Sequence, residues 1–213
     1  LFRSLSEKQL GIDSKCNNKF KNINKLLLAV IFPFFEVKDI WHYRQSTLYW
    51  AFKCGKDVFY RLLNDFNVPW RKISYKLSMQ LIRKTKINNV DGNNKLPRCL
   101  IIDDTDLPKT GKCIELIGRV FSHVAQRSLL AFKGLFLGYH DGKSFFAIDF
   151  SLHGEEGKNK KKPYGFSTKQ LKSRYTKQRD KGSPGNNRKQ EYFTTKIESM
   201  IEMIRTAIAQ GLR

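Results

Sequence analysis

Carboxylates are scarce in this chain. Nineteen Asp and Glu face 40 Lys and Arg over 213 residues, giving a formal net charge of +21 and a pI near 9.9. Charge on that scale concerns partners rather than fold. A polyanion is the expected partner, with nucleic acid ahead of an anionic membrane surface because the positive charge is interleaved with aromatics and the apolar segments are short. Long apolar runs are missing too. The longest covers residues 26–35 and contains Pro33, well under the roughly 20 residues a membrane helix needs. No charged start, apolar middle and small-residue cleavage site marks a secretory leader. The four cysteines (Cys16, Cys54, Cys99 and Cys113) form no CxxC pair, so zinc and disulfide frameworks are unsupported and reduced thiols are the default. The histidines (His42, His123, His140 and His153) show no HExxH spacing, and neither GxxxxGK[ST] nor GxGxxG occurs, which removes the usual zinc and nucleotide signatures. What is present, 40% hydrophobic and 13% aromatic residues, suffices for a packed core.

The few acids are not spread evenly. Residues 98–112 read RCLIIDDTDLPKTGK. Four apolar or near-apolar residues, Cys99 to Ile102, run into Asp103, Asp104 and Asp106, with turn residues Pro97, Pro108 and Gly111 around them. This pattern predicts a short buried strand whose aspartates sit where the chain leaves the core. Side chains alternate along a strand, so Asp103 and Asp104 cannot share a face. Such carboxylates are costly to bury unless hydrogen-bonded or bound to cations, and Mg2+ or Mn2+ takes one or two carboxylates together with substrate phosphates. The competing reading is a strand-end turn in which Asp104 and Thr105 bond the local backbone, with Asp106 in the turn.

Ahead of this stretch, residues 1–96 read as mostly helical. A short amphipathic piece closes at Gly11, and a helix over 20–32 stops at Pro33. Asp39 and Ser46 are candidate caps for the next segments. Helices over 56–66 and 70–84 are joined through Asn67-Val68-Pro69. Such a pair resembles a helix-turn-helix, with Arg71, Lys72 and Lys76 as candidate DNA contacts on the second helix, or it is a plain helical hairpin with a solvated face. The aromatics Trp41, Tyr49, Trp50, Phe59 and Trp70 read as core rather than base-stacking platforms. Residues 88–97 form a polar linker and a domain boundary.

After it, residues 114–125 read as a loop with a short strand. Asp141-Gly142 between two apolar arms, 128–139 and 143–152, predicts a hairpin covered on both faces. Asp149 in the second arm reads as structural or outward-facing. The basic segment 154–189 follows, with twelve cations between Gly157 and Lys189 opposed only by Asp180. It is read as a solvated loop in isolation and a backbone-contact region on DNA, with Lys158, Lys160, Lys161, Lys162, Lys172, Arg174, Lys177 and Arg179 as the candidates. Residues 190–210 form the clearest helix. Its stripe of Phe193, Ile197, Met200, Ile201, Ile204, Ala207 and Ile208 is expected on the sheet, and Gly211 lies past its end. The order is α/β: an N-terminal helical region, then an incomplete sheet with a long helix.

CLIIDDTDLPKTGK, the hairpin around GLFLGYHDGKSFFAIDFSLHGE and the segment GKNKKKPYG together resemble the DDE transposases of bacterial insertion sequences, over about residues 98–213. The resemblance implies an RNase H-like core in which aspartates on the first and fourth strands and a later helical glutamate hold two divalent ions, usually Mg2+. It also implies cleavage and transfer of DNA strands, with terminal inverted repeats as the double-stranded partner and a homodimer acting on paired ends in the bacterial nucleoid. Asp103 corresponds to the family's first aspartate, since Thr105 follows two positions on, with Asp104 the alternate. Neither the second aspartate nor the glutamate has a counterpart, so we expect an inactive N-terminal portion of a longer protein. Two rivals stand beside this: a DNA-binding module or regulator without catalysis, and an unrelated RNase H-like nuclease.

Overall fold

The computed structural model describes residues 5–14, 19–88, 97–111 and 113–212. The chain forms two compact units. One runs up to Leu77 and includes Ser183–Gly185; the other comprises Ser78–Gly182 and the residues from Asn186 on. The polar linker expected over 88–97 lies almost wholly outside the described residues. No helix among those described is long and apolar enough to cross a membrane.

Local chemistry sets the helices of the first unit. Ser6 and Gln9 cap α1 (Glu7–Leu10) reciprocally, and Gly11, at φ +70°, ends it because a left-handed residue there satisfies the last carbonyls. Helix α2 (Asn22–Ile31) passes into a 3-10 turn at Phe32–Phe35, where Pro33 brings no N–H to continue the ladder. Short α3 (Leu48–Ala51) and α4 (Lys56–Leu63) follow, and α5 (Trp70–Asn88) carries the chain toward the second unit. Two apolar clusters result. Leu28, Phe32, Val37, Tyr43, Leu48, Cys54 and Phe59 form one; Leu10, Ile12, Leu26, Leu62, Val68 and Ile73 form the other. Leu26 and Leu28 lie about 200° apart around α2, so this helix is shared between the two. The anchor is Tyr43, fully buried, its ring 5.1 Å from Phe59 and its hydroxyl donating to the Phe52 carbonyl.

In the second unit all strands are antiparallel. β3 (Arg127–His140) is central. β1 (Cys99–Pro108) pairs with it from Cys99↔His140 to Pro108↔Ala131. Ala131 also faces Gly118 of β2 (Gly118–Ser122), and residues 133–140 also pair with β4 (Phe145–His153). β2 and β4 therefore lie end to end along the edge of β3 opposite β1. The hairpin turn is as expected: Asp141 Oδ1 accepts from Lys143 N and Ser144 N, and Gly142 has φ +99°. The expected cover on both faces is incomplete, with Phe136 and Phe145 of the two arms 37% and 60% exposed.

Three expectations need correction. β1 does not stop at Ile102. It continues through all three aspartates, which lie mid-strand, and its apolar start is half-exposed rather than buried; the ladder to β3 outweighs the poor strand propensity of Asp. The basic segment is not a bare loop, since it holds a 3-10 turn at Pro163–Gly165 and helices α6 (Thr168–Lys172) and α7 (Pro184–Glu191). The single helix expected over 190–210 is two: α8 (Lys196–Ala209) starts afresh at Thr195, which forms a capping box with Glu198. With the start so placed, α8 turns Ser199, Met203 and Ala207 inward, while Ile197, Ile201 and Ile208 stay at least 39% exposed.

Candidate functional site

Strand parity separates the aspartates as expected. Asp104 and Asp106 share a face with their partners Leu135 and Lys133, whereas Asp103 shares the other with Phe136 and, one strand further, Phe150.

The first of these faces is neutralised. Lys133 is 5% exposed, and its Nζ lies 2.5 Å from Asp106 Oδ1 and 3.9 Å from Glu155 Oε1. Hydrogen bonding to Lys133, then to Ser122, holds the Asp106 carboxyl below the usual carboxylate range. Burial opposes the charge on Lys133, but the bond to Asp106 and the negative charges of Asp106, Glu155 and Asp104 together outweigh it and raise the ammonium above its ordinary value. Asp104 is paired with Lys196, the first residue of α8. On the same face of β4, opposite Leu135 and Lys133, Ser151 Oγ lies 2.7 Å from His153 Nε2, and His153 Nδ1 lies 3.2 Å from the Thr194 carbonyl. Both residues are at most 1% exposed, so this pair braces the fold. Asp149, read as structural or outward-facing, is 6% exposed and accepts from the Phe150 N–H.

The second face is open around Asp103. Among the described residues its carboxylate accepts only from the adjoining Asp104 N–H, at 2.8 Å. No ion pair among the described residues involves it. Ile101 and Phe136 beside it are 42% and 37% exposed, so cover on this face is partial; further along, Leu107, Phe132 and Leu152 pack with Leu116, Ile117, Tyr164 and Tyr192. Among the described residues no three His, Cys, Asp or Glu side chains converge as a metal cage. The donor set thus fits one end of a divalent-cation site: a single exposed, uncompensated carboxylate able to ligate an ion that also takes water and phosphate oxygens.

The candidate cations divide into two groups. Lys158, Lys160, Lys161, Lys162, Lys172 and Lys72 are exposed. Others are used within the fold. Arg179 is held by Glu115, with 2.6 Å from Nη1 to Oε1, and its side chain is 14% exposed. The Lys177 N–H donates to the same carboxylate, and Arg174 donates to the Ile117 carbonyl at 2.9 Å. Lys76 donates to the Gln9 carbonyl at 2.5 Å, and Arg71 is half-buried. Nothing in the sequence reading singles out Lys133 or Lys196, and Glu155 stands there only as an unmotivated metal candidate after the second hairpin arm. A lysine amid the apolar arm LLAFKGLFLGY was the available signal, since such a residue needs a buried anion.

A family described as DDE superfamily endonuclease matches residues 47–213. The match takes in the sheet, the basic segment and α8, and reaches back to α3, α4 and α5. The chain belongs to this family. No curated protein and no solved structure gives a significant match. Family membership carries nuclease or transposase-type action on DNA, and such endonucleases generally use divalent metals.

Proposed function

We propose that this chain is the part of a transposase that supplies the first metal-ligating aspartate, Asp103, and a basic surface for double-stranded DNA. One observation carries the assignment. Of the three clustered aspartates only Asp103 is free of a cationic partner among the described residues, whereas Lys196 and Lys133 compensate Asp104 and Asp106. A divalent cation such as Mg2+ or Mn2+, when bound, would supply charge stabilisation at the phosphodiester. The chain's part is to hold one carboxylate on β1, with Asp104 placed on the opposite face by strand alternation and paired there with Lys196 of α8. In the second unit DNA lies along the exposed lysines 158, 160, 161, 162 and 172; in the first unit Lys72 is a separate candidate contact. Insertion-sequence terminal repeats are the proposed target, recognised by two copies on paired ends in the bacterial nucleoid. With one uncompensated aspartate in the cluster among the described residues, the 213-residue chain binds metal weakly and does not cleave by itself.

Titration with Mn2+, followed by its electron paramagnetic signal, tests the site. Weak binding lost in Asp103→Asn and kept in Asp104→Asn is expected; equal binding by wild type and Asp103→Asn would remove the assignment. Robust Mg2+-dependent cleavage of end-sequence DNA that Asp103→Ala abolishes would overturn the inactivity.

The rival reading, a DNA-binding regulator without catalysis, draws on the same ion pairs, which leave two of three aspartates occupied. Duplex binding with no measurable Mn2+ affinity in the wild type would select it.

A further inference from the structure

The first unit already closes one apolar core with Tyr43, Leu48 and Phe59, yet two indoles remain outside it. Trp41 is 61% exposed and Trp50 is 76% exposed, against the sequence reading of both as core. Each has an ammonium over one ring face: Lys56 Nζ lies 4.4 Å from the Trp41 ring centroid, and Lys53 Nζ lies 4.9 Å from that of Trp50. The Trp41 backbone is fixed, since Asp39 Oδ1 accepts from the N–H groups of Trp41 and His42 at 2.8 and 3.0 Å. We propose that Trp41 with Lys56, and Trp50 with Lys53, form a stacking site for unpaired bases of a DNA strand. The proposal rests on the reading that the protein acts on DNA.

The chemistry favours this occupant. A cation on one face leaves the other face of each ring for a base, and the same ammonium can meet that nucleotide's phosphate. A purely apolar protein partner would have to dehydrate both ammonium groups. Residues 1–77 carry 14 Lys and Arg against six Asp and Glu, which complements a phosphate backbone. Base faces within an intact duplex are covered by their neighbours, so the rings select strands whose bases are unstacked. An anionic membrane surface is the rival, with Phe34 at 81% exposure as a further anchor.

The test uses the full 213-residue chain with a 20-nucleotide oligothymidylate, a duplex of matched length and phosphatidylserine vesicles. Single-strand binding should quench tryptophan fluorescence. Trp41→Ala and Trp50→Ala should each weaken single-strand affinity by roughly tenfold, as expected for removal of one base stack, and change duplex affinity by less than about twofold. Trp50→Phe should retain most of the affinity. Lys53→Gln and Lys56→Gln should each lower the single-strand salt slope by about 0.7. Unchanged melting by circular dichroism verifies the fold of each variant. Intact duplex binding with single-strand affinity unmoved in both alanine variants overturns the stacking site alone. Absence of binding to either DNA by the wild type overturns the DNA reading and this site with it. Vesicle binding that the alanine variants lose, with oligothymidylate affinity unmoved, overturns it in favour of the membrane.

Discussion

Lys133 shows at the residue scale how the sheet accommodates charge. It sits at the centre of β3, 5% exposed, opposite Asp106. Removing one partner of a buried pair leaves the other uncompensated, which costs about 3–5 kcal/mol. Asp106 is the less buried member, with its side chain 18% exposed, so Asp106→Asn is expected near the low end, about 3 kcal/mol. Lys133→Met, which removes the charge that needs compensating, is expected to cost less; urea unfolding of both variants measures the order. Acid should act through the same group. The Asp106 carboxyl is held below its ordinary value by Lys133, so its contribution is complete above pH 3.8 and is lost as pH falls through the lowered value. Glu7 behaves alike: burial works against its charge, but hydrogen bonds from Ile23, Ser14 and Asn22 outweigh this and lower it. The wild type should therefore lose stability below about pH 4, and Asp106→Asn should lose less over that range. A melting temperature that falls equally in both would contradict the pairing.

Among the elements, the basic segment behaves least as its composition suggests. Density of like charge alone predicts a repelling loop. Instead Glu115, from the loop before β2, gathers Arg179 and the Lys177 N–H. Burial opposes the Glu115 charge, but Arg179 and the Lys177 N–H outweigh it and keep the group ionised below its usual range. Charge-assisted hydrogen bonds of this kind contribute about 1.5–3 kcal/mol each. Glu115→Gln should therefore open the segment at least roughly tenfold more often, read as faster trypsin cleavage after Lys172, Lys177 or Arg179. Unchanged cleavage kinetics would mean that the pair does not hold the segment. The break between α7 and α8 follows from a similarly local contest, in which the Thr195 and Glu198 capping box starts a new helix where apolar spacing alone would run on.

For the whole molecule, a net charge of +21 describes two populations of cations. Those exposed at 158–162 are available to phosphate; Arg179 is committed to Glu115. On duplex DNA the combined change of Lys160, Lys161 and Lys162 to Gln should reduce the slope of log affinity against log salt, by up to about 0.9 for each phosphate no longer neutralised. Arg179→Gln should leave that slope nearly unchanged and lower the melting temperature. A larger slope change from Arg179 than from the three lysines would reverse the division.

Short-range rules made much of this readable from the sequence. The Asp141-Gly142 turn, the Gly11 and Gly211 helix ends, and the placing of Asp103 and Asp104 on opposite faces depend on residues within a few positions of one another. So does the strand, aspartate and hairpin pattern that carried the family resemblance. Which aspartate stands free was decided only by tertiary structure. Asp104 meets a lysine 92 residues away and Asp106 a lysine on β3, partnerships that exist only once register and helix placement bring them together. The burial of aromatics followed the same logic. Tyr43 and Trp41 are two residues apart and equally apolar to a sequence reader, but packing with Phe32 and Phe59 draws one ring in and leaves the other in water.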